Sequence, residues 1–286
     1  MATSPTLRQR ELGRRLRELR SQHGLTVEAV AEELLCSATK ISRLETAVRR
    51  PSLRDVRDLC ALYGVDQSTA DDLMNIARGA REQVWWTQYR DLGLDTLLGL
   101  EQDAAAITSY TMYYVPALLQ TEEYTRLIIK AIAPKMDSEI YGRRVEVRMR
   151  RQKSVLGKEG RPRYRVFLDE AVLRRRVGGA AVMAAQLDKI LETERQGKVT
   201  VQIVPFDVGA HASQDSNFII FEFGENADQS PVVFVEALTG NQYLEKPVDV
   251  IRYREAVEYL RDSALSPRDS VQFVTEMQKG YAETVE

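Results

Sequence analysis

The sequence has little cysteine and histidine and no long apolar run, and each absence excludes a class of protein. Two cysteines and two histidines among 286 residues are too few for a disulfide scaffold or a zinc-built fold. Cys36 and Cys60 lack CxxC spacing and are interpreted as core residues. No apolar run approaches the roughly 20 residues that cross a bilayer, and the N-terminal MATSPTLRQR lacks the apolar stretch of a secretory signal. We therefore expect a soluble, cytoplasmic protein without a metal site.

Signals for catalysis are equally scarce. Neither GxxxxGK(S/T) nor GxGxxG occurs, so nothing supports nucleotide hydrolysis or a dinucleotide cofactor. Adjacent Asp169 and Glu170 would face opposite sides of a strand, which favours a helix cap over a carboxylate dyad. His211, Ser213 and Asp215 share one predicted loop, where neighbours rarely reach the geometry of a catalytic triad. We expect no enzymatic activity, no catalytic residues and no cofactor.

The length and the distribution of charge are more informative. A chain of 286 residues and 32.5 kDa has the size of two domains. The net charge is only −2, yet residues 1–54 carry eleven basic and six acidic residues, or +5. Residues 143–176 carry thirteen and four, or +9, and residues 216–286 carry six and thirteen, or −7. This asymmetry indicates a polyanionic partner near one end of the chain.

Five short helices are predicted over the first 80 residues. Apolar residues recur at helical spacing in RQRELGRRLRELRSQ, VEAVAEELL, ATKISRLETA and two later segments. Thr26 and Ser37 are suitable N-caps, and Ser52 with Asp55 has the spacing of a capping box. About three residues separate the second helix from the third, so this pair is predicted to cross steeply, as in a helix-turn-helix.

The third helix has an outward face suited to DNA. A helix in the major groove requires short or basic side chains and no acid, and the outward residues here are Ala38, Thr39, Lys40, Ser42 and Arg43. Arg49 and Arg50 follow this helix and are placed to neutralise backbone phosphate. The alternative interpretation is the ordinary solvated face of a small helical bundle.

Residues 12–65 resemble the Xre/Cro type of helix-turn-helix domain. The matching pieces are the basic first helix, the TxExxA run, the SxxxISRLE run and the RPS sequence at residues 50–52. One departure is Ala47, where the family often has Gly. The resemblance implies base contacts just after the cap of the third helix and phosphate contacts near Thr26 and Ser42. With the basic pair that follows, the predicted DNA-binding residues are Thr26, Ser37, Ala38, Thr39, Lys40, Ser42, Arg43, Arg49 and Arg50.

From about residue 82 the pattern changes to alternating strands and helices. Strands are predicted at 164–168, 199–204, 218–223 and 232–236, with helices at 122–133, 138–156, 180–194, 248–264 and 266–281. We expect an all-α, five-helix domain at residues 1–80. A mixed α/β (α+β) domain with a sheet of about four to five strands is expected at residues 81–286.

The C-terminal part resembles the domain of unknown function that follows Xre-type domains in many actinobacterial regulators. The matching pieces include YVPALLQTEEY, LDEAVLRRRVGG, VTVQIVPFDVGAH and QYLEKPVDVIRY. Ala117 and the pair Ser216-Asn217 depart from the family, which usually has Gly and Gly-Pro there. The resemblance implies a dimeric transcription regulator, and a small companion protein as a plausible partner.

These features predict a sequence-specific transcription regulator. Its third helix would enter the major groove of a palindromic double-stranded operator, and its C-terminal domain would form a homodimer and sense a small-molecule effector or a protein. The alternative is an antitoxin-like protein whose C-terminal domain binds a small companion protein and whose DNA binding is autoregulatory. Two interpretations remain for the basic segment 143–176. Its charges are solvated or paired within the protein, or the segment makes a second contact with DNA or with an acidic partner. No membrane partner is expected.

Overall fold

Polar caps begin each of the five helices in the N-terminal part of the chain. These helices are α1 Pro5–Gln22, α2 Val27–Glu33, α3 Ala38–Glu45, α4 Leu53–Leu62 and α5 Gln67–Gly79. At each start a side-chain oxygen accepts a hydrogen bond from the backbone amide three residues later, the caps being Ser4, Thr26, Ser37, Ser52 and Asp66. One such cap stabilises a helix by about 1 kcal/mol. The five predicted helices and the capping box at Ser52 and Asp55 are confirmed.

The computed structural model describes residues 4–157, 160–224 and 230–284. The chain divides into two compact units, Met1–Asp103 and Ala104–Glu286. Within the described ranges, no helix is long and apolar enough to cross a membrane.

One apolar face of each N-terminal helix is buried in a common core. α1 packs against α3 and α5, α2 against α3, and α4 against α5. Almost completely buried side chains come from all five helices, among them Leu12, Leu16, Val30, Ile41, Leu44, Val56, Leu59 and Leu73. Each such side chain contributes about 1.5–3 kcal/mol through burial. The apolar faces predicted from periodicity are therefore the faces that pack.

Residues 81–103 belong to the same compact unit as the five helices. They form a 3-10 stretch at Trp85–Leu92 and helix α6 at Asp95–Asp103, which contacts α1. Thr6 lies close to Gly99, and the amide of Ser4 donates to Asp103 Oδ2 at 3.0 Å. The compact units thus divide later in the chain than the predicted boundary between residues 80 and 81.

The second unit is built on a six-stranded mixed sheet with the order β3-β2-β1-β4-β5-β6. The strands are β1 Ala106–Thr111, β2 Arg163–Asp169, β3 Thr200–Val204, β4 Phe218–Glu222, β5 Val232–Ala237 and β6 Gly240–Leu244. β1, β2 and β3 are parallel, and the remaining pairs are antiparallel. The predicted mixed fold is confirmed.

Two of these strands were not predicted. β1 occupies the middle of the sheet, between β2 and β4, although its sequence AITSYT mixes apolar and polar residues. β1 is buried along nearly its whole length because strands flank it on both sides, so periodicity is a weak signal there. β6 is largely exposed and, among the described residues, pairs only with β5, through a hairpin that closes at Ala237 and Gly240.

Six helices complete the second unit. They are α7 Glu122–Ile132, α8 Ser138–Leu156, α9 Glu170–Arg174, α10 Ala180–Arg195, α11 Pro247–Ser263 and α12 Pro267–Glu283. Short 3-10 turns occur at Ala117–Leu119 and Phe206–Val208. Val250, Val257 and Leu260 of α11 pack on one face of the sheet, whereas α12 packs against β3 and α10. The five helices predicted for this part are confirmed, with ends that differ by at most two residues.

Candidate nucleic-acid interface

Helix α3 has one buried face and one exposed face. Ile41 and Leu44 are buried in the core of the first unit. Ser37 Oγ accepts a hydrogen bond from the amide of Lys40 at 3.2 Å and fixes the start of the helix. In the preceding turn, Leu35 adopts a left-handed φ of 48°, which explains why α2 ends at Glu33 rather than at Leu35. The turn therefore separates the end of α2 from the Ser37 cap of α3.

A bidentate ion pair holds the carboxyl end of α3. Arg20 Nε and Nη2 donate to the two carboxylate oxygens of Glu45 at 2.7 and 2.9 Å, and both side chains are largely buried. The remaining amino group of Arg20 donates to the carbonyl of Leu25 at 2.8 Å. The hydrogen bond to Glu45 raises the pKa of Arg20. One guanidinium therefore joins the end of α1, the entry to α2 and the end of α3.

A close helix contact fixes the position of α3 against α1. A Cβ atom placed on Gly13 would lie 2.7 Å from the carbonyl oxygen of Glu45 and 2.8 Å from that of Leu44. Real Cβ atoms do not approach backbone oxygen so closely, so only glycine permits this spacing.

The outward face of α3 carries the predicted short and basic side chains. Thr39, Ser42 and Arg43 are exposed, and Ala38 is half-buried. The hydroxyls of Thr26 and Ser37 are exposed at the starts of α2 and α3. These oxygens already accept the capping amides, but each hydroxyl hydrogen can still be donated to a phosphate oxygen.

Arg49 lies directly beyond the end of this face. Ala47 adopts a left-handed φ of 56°, which reverses the chain after α3. The amide of Arg49 then donates to the carbonyl of Arg43 at 2.8 Å. Both arginine side chains are exposed. The structure therefore places two predicted contact residues, Arg43 and Arg49, next to each other.

Lys40 is engaged within the protein. Its Nζ lies 2.5 Å from Asp55 Oδ1, and both side chains are mostly covered. Burial favours the neutral acid at Asp55, but the hydrogen bonds from Lys40 and Ser52 outweigh it and hold the pKa of Asp55 below its usual value. Lys40 thus joins α3 to the start of α4 and would have to break this ion pair to reach a base.

Arg50 also turns inward. It is half-buried, and its Nε lies 3.5 Å from Gln9 Oε1 on α1. Burial and the nearby charge of Arg90 lower the pKa of the Arg50 guanidinium. The structure separates the predicted basic pair, with Arg49 exposed and Arg50 packed against the body of the unit.

Comparison with known protein families agrees with both units. A family model described as a helix-turn-helix domain matches residues 11–73. A family model described as a domain of unknown function, DUF5753, matches residues 94–276, more than half of the chain. The chain belongs to the DUF5753 family. No curated protein matches it. The N-terminal helix-turn-helix domain indicates that the protein binds DNA.

The polar residues of the DUF5753 domain that resemble catalytic groups have structural partners. Asp169 Oδ1 accepts from the amide of Ala171 at 2.8 Å and caps α9, as predicted. His211 Nε2 lies 3.3 Å from the hydroxyl of Tyr110, whereas the Ser213 hydroxyl donates to the carbonyl of Ala256 at 3.5 Å. The serine hydroxyl is therefore directed at a backbone oxygen and not at the imidazole.

The sequence did not reveal the long-range contacts that hold the helix-turn-helix domain together. Arg20 and Glu45 lie 25 positions apart, and periodicity carries no information about such a distant pair. The only sequence signal is that Glu45 is an acid at the end of an otherwise acid-free helix. Gly13 has no sequence signal beyond being a glycine inside a helical pattern.

Proposed function

We propose that this DUF5753 protein is a sequence-specific DNA-binding transcription regulator. The helices of residues 1–80 form the DNA-binding surface, and α3 enters the major groove. Residues 81–103 complete the same compact unit, and the rest of the predicted regulatory domain, residues 104–286, dimerises and receives a signal from a small molecule or a protein. A two-fold dimer would bind a roughly palindromic operator with half-sites about 34 Å apart, or a multiple of that distance.

The observation that carries this proposal is the exposed face of α3. It combines Thr39, Ser42 and Arg43 with the adjacent Arg49, and no acid lies among them. Arg43 is suited to paired hydrogen bonds with guanine, because its guanidinium presents two parallel donors. Arg49 is suited to phosphate, where it would contribute affinity without base preference.

Lys40 and Arg50 receive different roles within the same proposal. Both were predicted as DNA contacts, but Lys40 is paired with Asp55 and Arg50 is half-buried. We therefore propose that Arg43 and Arg49 make the principal charged contacts. Thr26, Ser37, Ala38, Thr39 and Ser42 would line the groove or bind phosphate.

The test begins with sequencing of the DNA that is recovered with the protein from cells, which identifies the operator. Affinities for this operator and for random duplex are then measured at several salt concentrations. Arg43→Ala should cost about 1–3 kcal/mol on the operator and relax preference at one base position. Arg43→Lys should lose most of the same preference while retaining the salt dependence, since lysine keeps the charge but lacks the fork.

Arg49→Ala provides the contrasting variant. It should weaken binding to both duplexes and reduce the salt slope by about 1. Arg195→Ala on α10 removes the same charge outside the proposed interface and should leave both affinities unchanged. An equal loss on both duplexes for Arg43→Ala and Arg49→Ala would contradict the assignment of base contact to Arg43. Recovery of no preferred DNA sequence would contradict the proposed function.

A further inference from the structure

A concave basic surface lies at the amino-terminal ends of the parallel strands, where α11 also ends. The cavity has a volume of about 520 Å³, within the usual range for small-ligand sites. We call this surface the strand-end cleft, and its charged residues are Arg161, Arg163, Arg165, Lys198, Arg261 and Glu222. Among the residues that the structure describes, five cations thus face one carboxylate.

The sheet register brings part of this charge onto one rigid face. Side chains alternate along a strand, so Arg163 and Arg165 of β2 project to the same side. Ala106 and Thr108 stand opposite them on β1, and Thr200 stands opposite Arg165 on β3. These small side chains also line the cleft. They leave space between the arginines that larger residues would fill.

Much of the positive charge is not neutralised by carboxylates. Arg165 Nη1 donates to Gln202 Oε1 at 2.8 Å, and Arg161 Nη2 donates to the carbonyl of Gly197 at 3.2 Å. Both acceptors are uncharged. Arg163 and Lys198 form no ion pair with any residue in the described ranges.

Glu222, the one carboxylate among the described lining residues, already has a partner outside the cleft. Glu222 Oε1 accepts from Arg254 Nη2 at 2.6 Å. Arg261 makes a long contact, 3.5 Å, with exposed Glu258. Since surface pairs of this kind contribute little energy, they compensate the cleft weakly.

Gathering like charges in a half-enclosed space costs free energy. Burial, and after it the nearby charge of Arg261, lower the pKa of Arg165, while Glu258 acts in the opposite direction. A bound anion would remove this cost. A titratable residue in a cleft whose pKa is shifted by burial and by a specific charged neighbour marks a candidate functional site.

We propose that the strand-end cleft binds a phosphate-bearing small molecule of about nucleotide size. Guanidinium groups match phosphate oxygens with paired hydrogen bonds, and the hydroxyls of Thr108 and Thr200 supply further donors. The concave, sheet-built shape encloses a small anion. A role for this site in regulation rests on the proposed function, but binding of the small molecule itself requires no DNA. It also gives a role to three arginines of the basic segment 143–176.

Calorimetry on the full chain without DNA tests this proposal. Inorganic pyrophosphate and ADP are titrated separately at low salt. The double variant R163Q/K198Q removes two cleft cations that have no described ion pair and should weaken the binding at least about tenfold. The double variant R268Q/K279Q removes one arginine and one lysine from the exposed surface of α12 and should bind as the wild type does.

Three results would overturn the proposal. One is that neither anion binds saturably to the wild type. Another is that anion binding is weakened equally in both double variants. The third is that R163Q/K198Q loses affinity for random DNA duplex while neither small anion binds, which would assign the cleft to the nucleic-acid backbone. Because no operator is used in the calorimetry, failure here leaves the test of the proposed function unaffected.

Discussion

At the scale of single residues, one neighbour can change the role of a cation on an outward helix face. Lys40 lies on the outward face of α3, and the sequence placed it among the base contacts. Asp55, fifteen positions later, binds its ammonium group and simultaneously completes the capping box of α4. A side chain that serves the fold in this way is a poor choice for base contact, because DNA binding would have to replace the ion pair.

The ion pair leads to a prediction about pH. The pKa of folded Asp55 lies below its ordinary value of 3.8, so its carboxylate stabilises the fold at neutral pH. This stabilisation is lost as the pH falls through the folded pKa, because the unfolded chain takes up the proton first. Asp55→Asn should therefore lower the free energy of unfolding at pH 7, and the difference from wild type should shrink below about pH 4.

Urea denaturation at several pH values measures this difference. Asp72→Asn, on the exposed surface of α5, is the control and should change the free energy of unfolding little at any pH. A loss in Asp55→Asn that is equally large at pH 7 and at pH 3 would show that the carboxylate charge is not the cause.

The backbone conformation of Ala47 is a second feature that concerns a single residue. Its left-handed φ of 56° costs an alanine about 1–2 kcal/mol, whereas glycine adopts it freely. The side-chain amide of Gln9 donates to the Ala47 carbonyl at 2.7 Å and helps to hold the conformation.

At the scale of elements, the distance between α1 and α3 determines whether α3 is held in the position proposed for DNA binding. Glycine inside a helix is normally destabilising, so replacement by alanine usually adds up to about 1 kcal/mol of stability. Gly13 is an exception because it allows α1 to contact the last carbonyls of α3.

Gly13→Ala should therefore destabilise the first unit by about 1–3 kcal/mol, as overpacking does in a close-packed core. Gly142→Ala is the matched control. Gly142 also lies inside a helix, α8, but no neighbouring atom lies within 4 Å of the position that an alanine methyl would occupy there. This control should leave stability unchanged or raise it. Thermal unfolding of the two variants compares them, and stabilisation by Gly13→Ala would disprove the close contact.

The two edges of the sheet differ. At the β3 edge, the Ser270 hydroxyl accepts a hydrogen bond from the amide of Ile203 at 2.9 Å. The amide of Leu265 donates a hydrogen bond to the carbonyl of Ile203 at 2.8 Å. β6 has no backbone partner beyond β5 among the described residues, and Leu238 in its hairpin is almost fully exposed. An open edge of this kind can pair with a second strand.

We predict that the proposed homodimer uses the β6 edge. Gln242→Lys should then lower the dimer affinity, because charged residues on an edge strand oppose pairing with another copy. Gln272→Lys introduces the same charge on the exposed surface of α12 and is the control. Light scattering over a range of concentrations measures the oligomeric state. A dimer that is equally stable in both variants would place the interface elsewhere.

At the scale of the whole molecule, the position of the division between units has consequences for stability. Residues 81–103 contribute Trp86, Tyr89, Leu97 and Leu100, all buried, to the first unit. Arg8 Nη1 on α1 also pairs with Glu82 Oε1 at 2.7 Å. A DNA-binding domain that ended at residue 80 would expose α1 where these residues now cover it.

The fragment of residues 1–103 should therefore unfold cooperatively and at a clearly higher temperature than the fragment of residues 1–80. Each fully buried side chain that is removed costs about 1.5–3 kcal/mol. Circular dichroism melting of both fragments provides the comparison. Equal melting temperatures would show that residues 1–80 are sufficient for the domain.

Much of the first unit followed from the sequence alone. The caps, the apolar faces and the helix order depend on residues within a few positions of one another, so local patterns determine them. The same holds for the outward face of α3 and for most of the second unit's helices. The central strand β1 could not be predicted, because its burial comes from strands that lie far away in the chain.

Contacts between distant residues were decided only by the tertiary structure. They include the pairing of Lys40 with Asp55, the inward position of Arg50 and the bidentate bond between Arg20 and Glu45. The strand-end cleft likewise gathers cations that are spread over about one hundred positions. The sequence determines which charges a protein carries, but folding determines which of them find a counter-charge, because an ion pair depends on distances in space rather than along the chain.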